Sequence, residues 1–306
     1  MVDLLLGGSP CQGFSFAGRQ LNFSDQRSKL FFDYVKALEI LKPKYFLLEN
    51  VKMKKEYQDI ISKCLGVQPI KINSSLLSAQ NRVRLYWTNI PNVQQPKDKH
   101  ISLYDILECC VYTEQGEYFG KRLNKGTIIG RRLNADGHRD DYNKDIPIIQ
   151  YIEVRDVNTE KSNCLTTVDK DNILTPLPVG RHPDAFKNNL PFRFYTVKEY
   201  CRLQTVPDDY LSSIPENQAR KCLGNGWTVD VIAHILSYIP ETYLPIVVSL
   251  FDGISCGQLA LQRAGKAYDR YYASEIDKYA IRVTQENYPN TIQLGDVTKI
   301  DWFSIF

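Results

Sequence analysis

Short apolar runs closed by glycine, proline or charge alternate along this chain with longer stretches whose apolar residues recur every three or four positions. Asp3 to Leu6, ended by Gly7-Gly8, predicts a strand buried on both faces. From Lys29 to Leu41 the positions Leu30, Phe31, Tyr34, Val35, Leu38 and Leu41 keep helical spacing, and Pro43 ends the helix. Tyr45-Phe46-Leu47-Leu48 predicts a second buried strand, and Ile70-Lys71-Ile72 and Leu85-Tyr86-Trp87 two more. This alternation predicts a mostly parallel sheet with helices on both faces.

Between about Pro91 and Pro191 the pattern dissolves into short β-prone pieces, glycine and proline punctuation and charge, which predicts an inserted domain. The alternation then resumes. Thr196-Val197-Lys198-Glu199 is a capping box opening a helix, and Val229 to Ile239 carries the apolar stripe of another. Ile246 to Phe251, Tyr271 to Ala273 and Thr291 to Gln293 predict strands, with helices from Gly257 to Ala264 and Lys278 to Asn287. The division expected is 1–90 for one half of the core, 91–191 for the insert and 192–306 for the remainder.

Composition narrows this picture without naming a function. The 306 residues, 43% hydrophobic and 24% charged, are enough for one large α/β domain with an insert, and exclude disordered, collagen-like and coiled-coil chains. No apolar run approaches the length of a membrane span, and no secretory signal opens the chain. Eight cysteines without a C-x-x-C pair, and four scattered histidines, lack zinc-ligand spacing; the expectation is a reducing cytoplasm and no structural metal. A net charge of +3 is too small to establish a nucleic-acid partner.

Three motifs at strand ends carry candidate chemistry. Gly7-Gly8-Ser9-Pro10-Cys11-Gln12 places Cys11 just beyond a buried strand, where ligands of open α/β sheets sit and a nucleophile would stand. A small buried cysteine in a turn is the competing reading. Leu48-Glu49-Asn50-Val51 would present the Glu49 carboxyl to the same pocket if the two strands are neighbours, ready to hold or deliver a proton; a capping or salt-bridged glutamate is the alternative. In Gln80-Asn81-Arg82-Val83-Arg84 alternation sends Arg82 and Arg84 to one face, where two guanidinium forks can bind a carboxylate, a phosphate or a base edge.

Together, P-C-Q, E-N-V and Q-x-R-x-R resemble the catalytic core of the DNA (cytosine-5)-methyltransferases. Phe251-Asp252-Gly253-Ile254-Ser255-Cys256-Gly257 resembles the cofactor loop of that family, Leu223-Gly224-Asn225-Gly226-Trp227-Thr228-Val229 its last block, and Arg202-Leu203-Gln204 with Pro207 the segment before it. The fold implied is a Rossmann-like S-adenosylmethionine-dependent methyltransferase sheet with a small inserted target-recognition domain.

The cofactor loop also has a physical reading of its own. It joins a strand to a helix, so its glycines permit a tight turn that brings a ligand to the helix N-terminus. It lacks the G-x-G-x-x-G that a dinucleotide's pyrophosphate requires. Glu275 and Asp296 each end a following strand, suited to ribose hydroxyls and an adenine amino group, with plain strand-end solvation as the alternative. Nucleoside recognition without phosphate recognition fits S-adenosylmethionine. The resemblance extends this site to Pro10, Leu30, Asn225, Gly226, Trp227, Ile276 and Val297.

The mechanism the resemblance implies begins with addition of the Cys11 thiolate to carbon 6 of cytosine, which activates carbon 5. Glu49 would hydrogen-bond the ring nitrogen and exocyclic amine, Arg84 the carbonyl oxygen, and Arg82 would support Arg84 and the ionised Cys11. The base must first be flipped out of the duplex. Residues 13–26, with Ser15, Arg19 and Gln20 beside Gln12, correspond to the loop that closes over the target. Expected DNA contacts are Gln80, the basic run Lys121, Arg122, Lys125, Arg131 and Arg132, and the threonine motif Leu165-Thr166-Thr167. The expected partners are double-stranded DNA and a cognate restriction endonuclease. A tRNA methyltransferase with the same core, a non-catalytic DNA-binding homologue and an NAD-type oxidoreductase are the alternatives.

One feature departs from the family. Its usual order puts the cofactor block before P-C-Q, whereas here Phe251 to Val297 comes last. Joining Phe306 to Met1 restores the order, so the expectation is a circular permutant with Met1 and Phe306 close at the surface, within roughly 15 Å.

Overall fold

The apolar runs become the strands of one seven-stranded sheet, several of them longer than the pattern alone predicts. The computed structural model describes residues 2–9, 26–120, 123–136, 138–155, 161–183 and 188–305. In chain order the core comprises β1 (Leu4–Gly7), α1 (Gln26–Leu41), β2 (Tyr45–Val51), α2 (Lys55–Leu65), β3 (Ile70–Asn73) and β4 (Val83–Thr88). After the insert come α4 (Val197–Leu203), α5 (Glu216–Asn225), α6 (Val229–Leu236), β10 (Ile246–Leu250), α7 (Cys256–Arg263), β11 (Arg270–Ser274), α8 (Lys278–Asn287), β12 (Ile292–Gln293) and α9 (Trp302–Ile305).

The strands lie in the order β12-β11-β10-β1-β2-β4-β3. All neighbours are parallel except β4, which runs antiparallel to both β2 and β3. Renumbered from β10, the order reads 3-2-1-4-5-7-6, with the chain reversing its direction of travel between β10 and β1. That reversal makes a crevice at the carboxyl ends of the two strands, where doubly wound sheets bind ligands.

Successive residues of each parallel strand feed opposite cores. Leu4, Leu6, Tyr45 and Leu47 join an apolar cluster with residues of α5, α6, α7 and α8, while Leu5, Phe46 and Leu48 join one with Phe31, Tyr34, Ile61 and Trp302. A strand covered on both faces has no polar alternation to show, which is why these segments read as unbroken apolar runs. Val2 and Trp302 share the second cluster, so both ends of the described chain lie on one side of the sheet. The expected approach of Met1 to Phe306 falls on residues outside those described.

The insert forms its own sheet. After α3 (Leu103–Ile106) come β5 (Asn124–Arg131), β6 (Ile149–Val154), β7 (Ile173–Thr175), β8 (Gly180–Pro183) and β9 (Arg193–Phe194), ordered β8-β6-β5-β7-β9 and antiparallel throughout. Ile128, Ile152, Val154, Ile173 and Phe192 make its small core. The sheet closes with β9, just past the expected limit at 191, and Leu103, Ile106 and Leu107 pack in the larger cluster of the main fold.

The Thr196 capping box is present in full. Glu199 N donates to Thr196 Oγ1 at 3.2 Å and Thr196 N to Glu199 Oε2 at 3.0 Å, opening α4.

Candidate active site

A cavity of about 400 Å³ opens at the reversal point, lined from the ends of β1, β2, β4, β10, β11 and β12. The parallel pairing of β1 with β2, Gly7 opposite Leu48, brings Gly8 and Ser9 beside Glu49. Asn50 Nδ2 donates to Ser9 Oγ at 3.1 Å, tying the segment that enters Pro10 and Cys11 to β2. Pro10, Cys11, Gln12, Ser15, Arg19 and Gln20, together with Lys121 and Arg122, lie outside the described residues.

Antiparallel pairing of β2 with β4 sets Val51 opposite Arg84, so Glu49 is Arg84's diagonal neighbour on the same face. Their side chains, 12% and 13% exposed, form a salt bridge of 2.9 Å between Glu49 Oε1 and Arg84 Nε. Trp227 Nε1 donates to the second carboxylate oxygen, Oε2, at 3.1 Å. The carboxylate is thus held in one orientation by groups from two separate parts of the chain. The indole also explains Gly8: a Cβ there would stand 2.9 Å from Trp227 Nε1.

Arg82 is buried and does something the sequence does not reveal. Its Nη1 donates to Leu165 O at 3.0 Å, and its Nη2 to Gly226 O at 2.8 Å and Gly224 O at 3.2 Å. One guanidinium therefore joins the insert's threonine segment to the G-N-G-W turn. Burial, with the neighbouring Arg84 cation, pushes its pKa below the ordinary value. The thiol of Cys164 lies between the two cations, 3.4 Å from Arg82 Nη1 and 3.7 Å from Arg84 Nη2. Cys164 and Asn50 were missed from sequence; the only signal was their adjacency to L-T-T and to Glu49.

At the opposite end of the cavity, the turn after β10 is held by carboxylates. Phe251, Gly253 and Ser255 all have positive φ, at 58°, 60° and 56°. Asp252 is buried, accepting from Tyr271 OH at 2.7 Å and from Ser255 Oγ, and burial raises its pKa to about 6. Glu275 Oε2 accepts from Gly253 N at 2.8 Å, and Oε1 from Ile276 N at 2.7 Å and Asp277 N at 2.9 Å. Asp296 Oδ1 accepts from Thr298 Oγ1 at 2.8 Å and from Thr298 N at 3.0 Å, bonds that lower its pKa. Leu30, Asn225, Gly226, Ile254, Cys256, Ile276 and Val297 also line the cavity, with Ile276 74% exposed.

Several of the expected site residues do not line the cavity. Ser255 and Gly257 are buried behind the turn; a Cβ on Gly257 would stand 2.6 Å from Tyr271 OH, so this glycine permits helix-to-strand packing and does not line the cavity. Gln80 is fully buried, bonded through Nε2 to Leu203 O at 2.6 Å and through Oε1 to Leu165 N at 3.2 Å. It braces the frame and faces no surface. Arg132 is tied to its own loop through Ile146 O at 2.9 Å, and Arg131 Nη1 to Gly130 O at 2.9 Å. Thr166 Oγ1 donates to Asp171 Oδ2 at 2.7 Å, while Thr167 is exposed.

The sequence profile of the C-5 cytosine-specific DNA methylase family matches residues 1–241 and 246–305, nearly the whole chain. The chain belongs to that family. The methylase transfers a methyl group to carbon 5 of cytosine in DNA. It is similar to the Type II methyltransferase M.BanI of Aneurinibacillus aneurinilyticus, 44% identical in a match that covers 76% of this chain and 79% of that one. It is also similar to M.HpaII of Haemophilus parainfluenzae, 28% identical over 258 residues covering 75% and 69%. Among solved structures, an Entamoeba histolytica methyltransferase superposes with a TM-score of 0.51 and 19% identity over 78% of this methylase and 76% of that chain, which supports the fold. No helix of the described residues is long and apolar enough to cross a membrane.

Proposed function

We propose that this methylase acts on a cytosine flipped out of duplex DNA, with Cys11 as nucleophile, Glu49 and Arg84 gripping the base, and S-adenosylmethionine as methyl donor. The observation that carries the reading is that one cavity holds both the Glu49–Arg84–Trp227 constellation and the Glu275 and Asp296 strand ends. Ser9 lines that cavity, and Cys11 follows it by two positions.

The donor fits the residues present. Carboxylates end β11 and β12, Ile276 offers an exposed apolar face between them, and Gly253 leaves open space where a side chain would stand. Glu275, Asp296, Ile276 and Phe251 would hold the nucleoside part. When bound, S-adenosylmethionine supplies an electrophilic methyl group.

The protein's own groups prepare the base. Cytosine carbon 5 is a weak nucleophile, so the Cys11 thiolate adds to carbon 6 and turns the ring into an enamine. Glu49 hydrogen-bonds the ring nitrogen and exocyclic amine, where charge develops, and its fixed orientation avoids reorganisation during the step. Arg84 holds the carbonyl oxygen. Once the nucleophilic carbon 5 has taken up the methyl group, a base removes the proton still on that carbon, and Cys11 leaves as thiolate. The block order is read as a circular permutation, supported by a sheet whose strands renumber smoothly from β10. Duplex DNA, and a restriction endonuclease sharing its target site in a bacterial or phage-infected cytoplasm, are the expected partners.

The test is transfer of labelled methyl from S-adenosylmethionine to a mixed-sequence DNA duplex, with tRNA in parallel, followed by mapping of the modified cytosines. Cys11→Ser is expected to abolish transfer and Glu49→Gln to lower kcat by about 10²–10³. Undiminished transfer by Cys11→Ser would refute the mechanism.

A further inference from the structure

The insert's sheet bears a constellation that the active site does not use. Along β6, Ile152 and Val154 enter the insert's core, which sends Tyr151 and Glu153 to the opposite face. There Glu153, only 8% exposed, accepts from Arg155 Nε on Oε2 at 2.6 Å and from Arg181 Nε on Oε1 at 2.8 Å. The two arginine side chains remain 79% and 71% exposed. The Arg181 guanidinium also lies 5.9 Å from the Tyr151 ring centroid.

We propose that this face is where the DNA duplex lies, with Arg155 and Arg181 taking backbone phosphates and Glu153 acting as their positioning residue. The inference rests on the DNA-methylase reading above and gives it a docking surface. Two cations against one carboxylate leave a positive excess. Among the described residues only Nε of each guanidinium is bonded, and the exposed side chains have further N–H donors on Nη with which to meet a phosphate. Exposed ion pairs add little to stability. A nearly buried carboxylate that fixes two exposed arginines does more for their orientation, and a bidentate fork held in place loses less entropy when it meets a phosphate.

The face also has the right address. Glu153 stands opposite Thr127 on β5 and Arg181 on β8. Thr127 Oγ1 donates to Asp171 O at 3.1 Å, and Asp171 Oδ2 accepts from Thr166 Oγ1 at 2.7 Å, so the stretch from Cys164 to Asp171 is tied to β5, the neighbour of Glu153's strand. That segment touches both active-site arginines through Cys164. The proposed course takes a duplex that delivers a base to Arg84 along the strand pair β5 and β6, past Arg155 and Arg181.

The experiment measures binding of a mixed-sequence DNA duplex by the full chain across a salt series, beside methyl transfer at saturating DNA. For Arg155→Ala/Arg181→Ala we expect affinity to fall at least tenfold for all sequences and the slope of log K against log salt to shrink by roughly 1.8, since each lost phosphate contact removes about 0.9. The rate at saturating DNA stays within about twofold. Glu153→Gln separates positioning from bulk charge: removing a negative charge would tighten binding to a loose basic patch, whereas loss of positioning weakens it. Should the double variant fail to fold with Glu153 left uncompensated, Glu153→Gln/Arg155→Ala/Arg181→Ala removes that carboxylate and supplies the same readout. An unchanged salt slope in a folded variant, or tighter binding by Glu153→Gln, overturns the proposal. A wild type that neither binds nor methylates DNA overturns the underlying reading instead.

Discussion

Gly224 is a residue at which two ordinary effects oppose each other. It lies within α5, where alanine in place of glycine normally gains about 1 kcal/mol. A Cβ there, however, would stand 2.3 Å from Thr166 O and 2.6 Å from Thr166 C, both backbone atoms that cannot swing aside. Overpacking against backbone outweighs helix propensity, so Gly224→Ala is expected to destabilise the protein by about 1–3 kcal/mol net and to push the threonine segment away from α5. A thermal melt beside the KM for DNA would test both parts, and a stabilised variant would contradict them. Asp252 gives a residue-level pH signature. Its folded pKa of about 6 lies above the ordinary 3.8, so it contributes stability that is present at low pH and lost as pH rises through about 6. Against Asp252→Asn, the wild type should lose on the order of 3 kcal/mol over that interval, read from melts at stepped pH. A parallel pH profile for the two proteins would contradict the assignment. The chemical types at strand ends, Glu49, Arg84, Glu275 and Asp296, were legible because each flanks an apolar run in the sequence. The roles of Cys164 and Arg82 were not, because they depend on a segment some eighty residues away along the chain.

The junction between β9 and α4 shows how an element inherits a partner that its local signal hides. The capping box marks Glu199 as the third helical residue, and its carboxylate does bond back to Thr196 N. The same carboxylate takes a bidentate Arg193 guanidinium, 2.7 Å on each oxygen, and Glu108 N at 2.9 Å. With Arg193 and Glu199 side chains 1% and 0% exposed, removal of one charge leaves the other without water or counter-ion. Glu199→Gln is therefore expected to cost about 3–5 kcal/mol, and Glu199→Gln/Arg193→Met to recover part of it, by chemical denaturation. Equal stability of the single variant and the wild type would show the pair to be solvated. A capping box is visible in four consecutive letters; burial of its glutamate is a property of packing between α4, β9 and the segment around Glu108.

For the molecule as a whole, the sheet places the first cofactor-side strand and the first catalytic strand side by side: β10 pairs in parallel with β1 over four residues, from Leu4 opposite Val247 to Gly7 opposite Leu250. If the block order is a permutation, the native contacts do not depend on which connection is covalent. A chain with a flexible linker from Phe306 to Met1, reopened between Thr242 and Tyr243, should fold and methylate DNA at a rate within about tenfold of the parent. An insoluble or inactive product, alongside an active parent, would count against that reading. Strand and helix identities followed from periodicity because each element's burial is written into its own residues. Lateral order was another matter. Leu5 and Val248 carry no mark that they become neighbours, since hydrogen bonding between backbones is blind to side-chain identity, and the antiparallel course of β4 is likewise silent in its apolar run. The sequence alone therefore determined which residues could do chemistry and which segments would be buried. The tertiary structure decided which of them meet, because the Glu49–Arg84 pair, the Trp227 bond and the arginine face of the insert all join positions brought together only by folding.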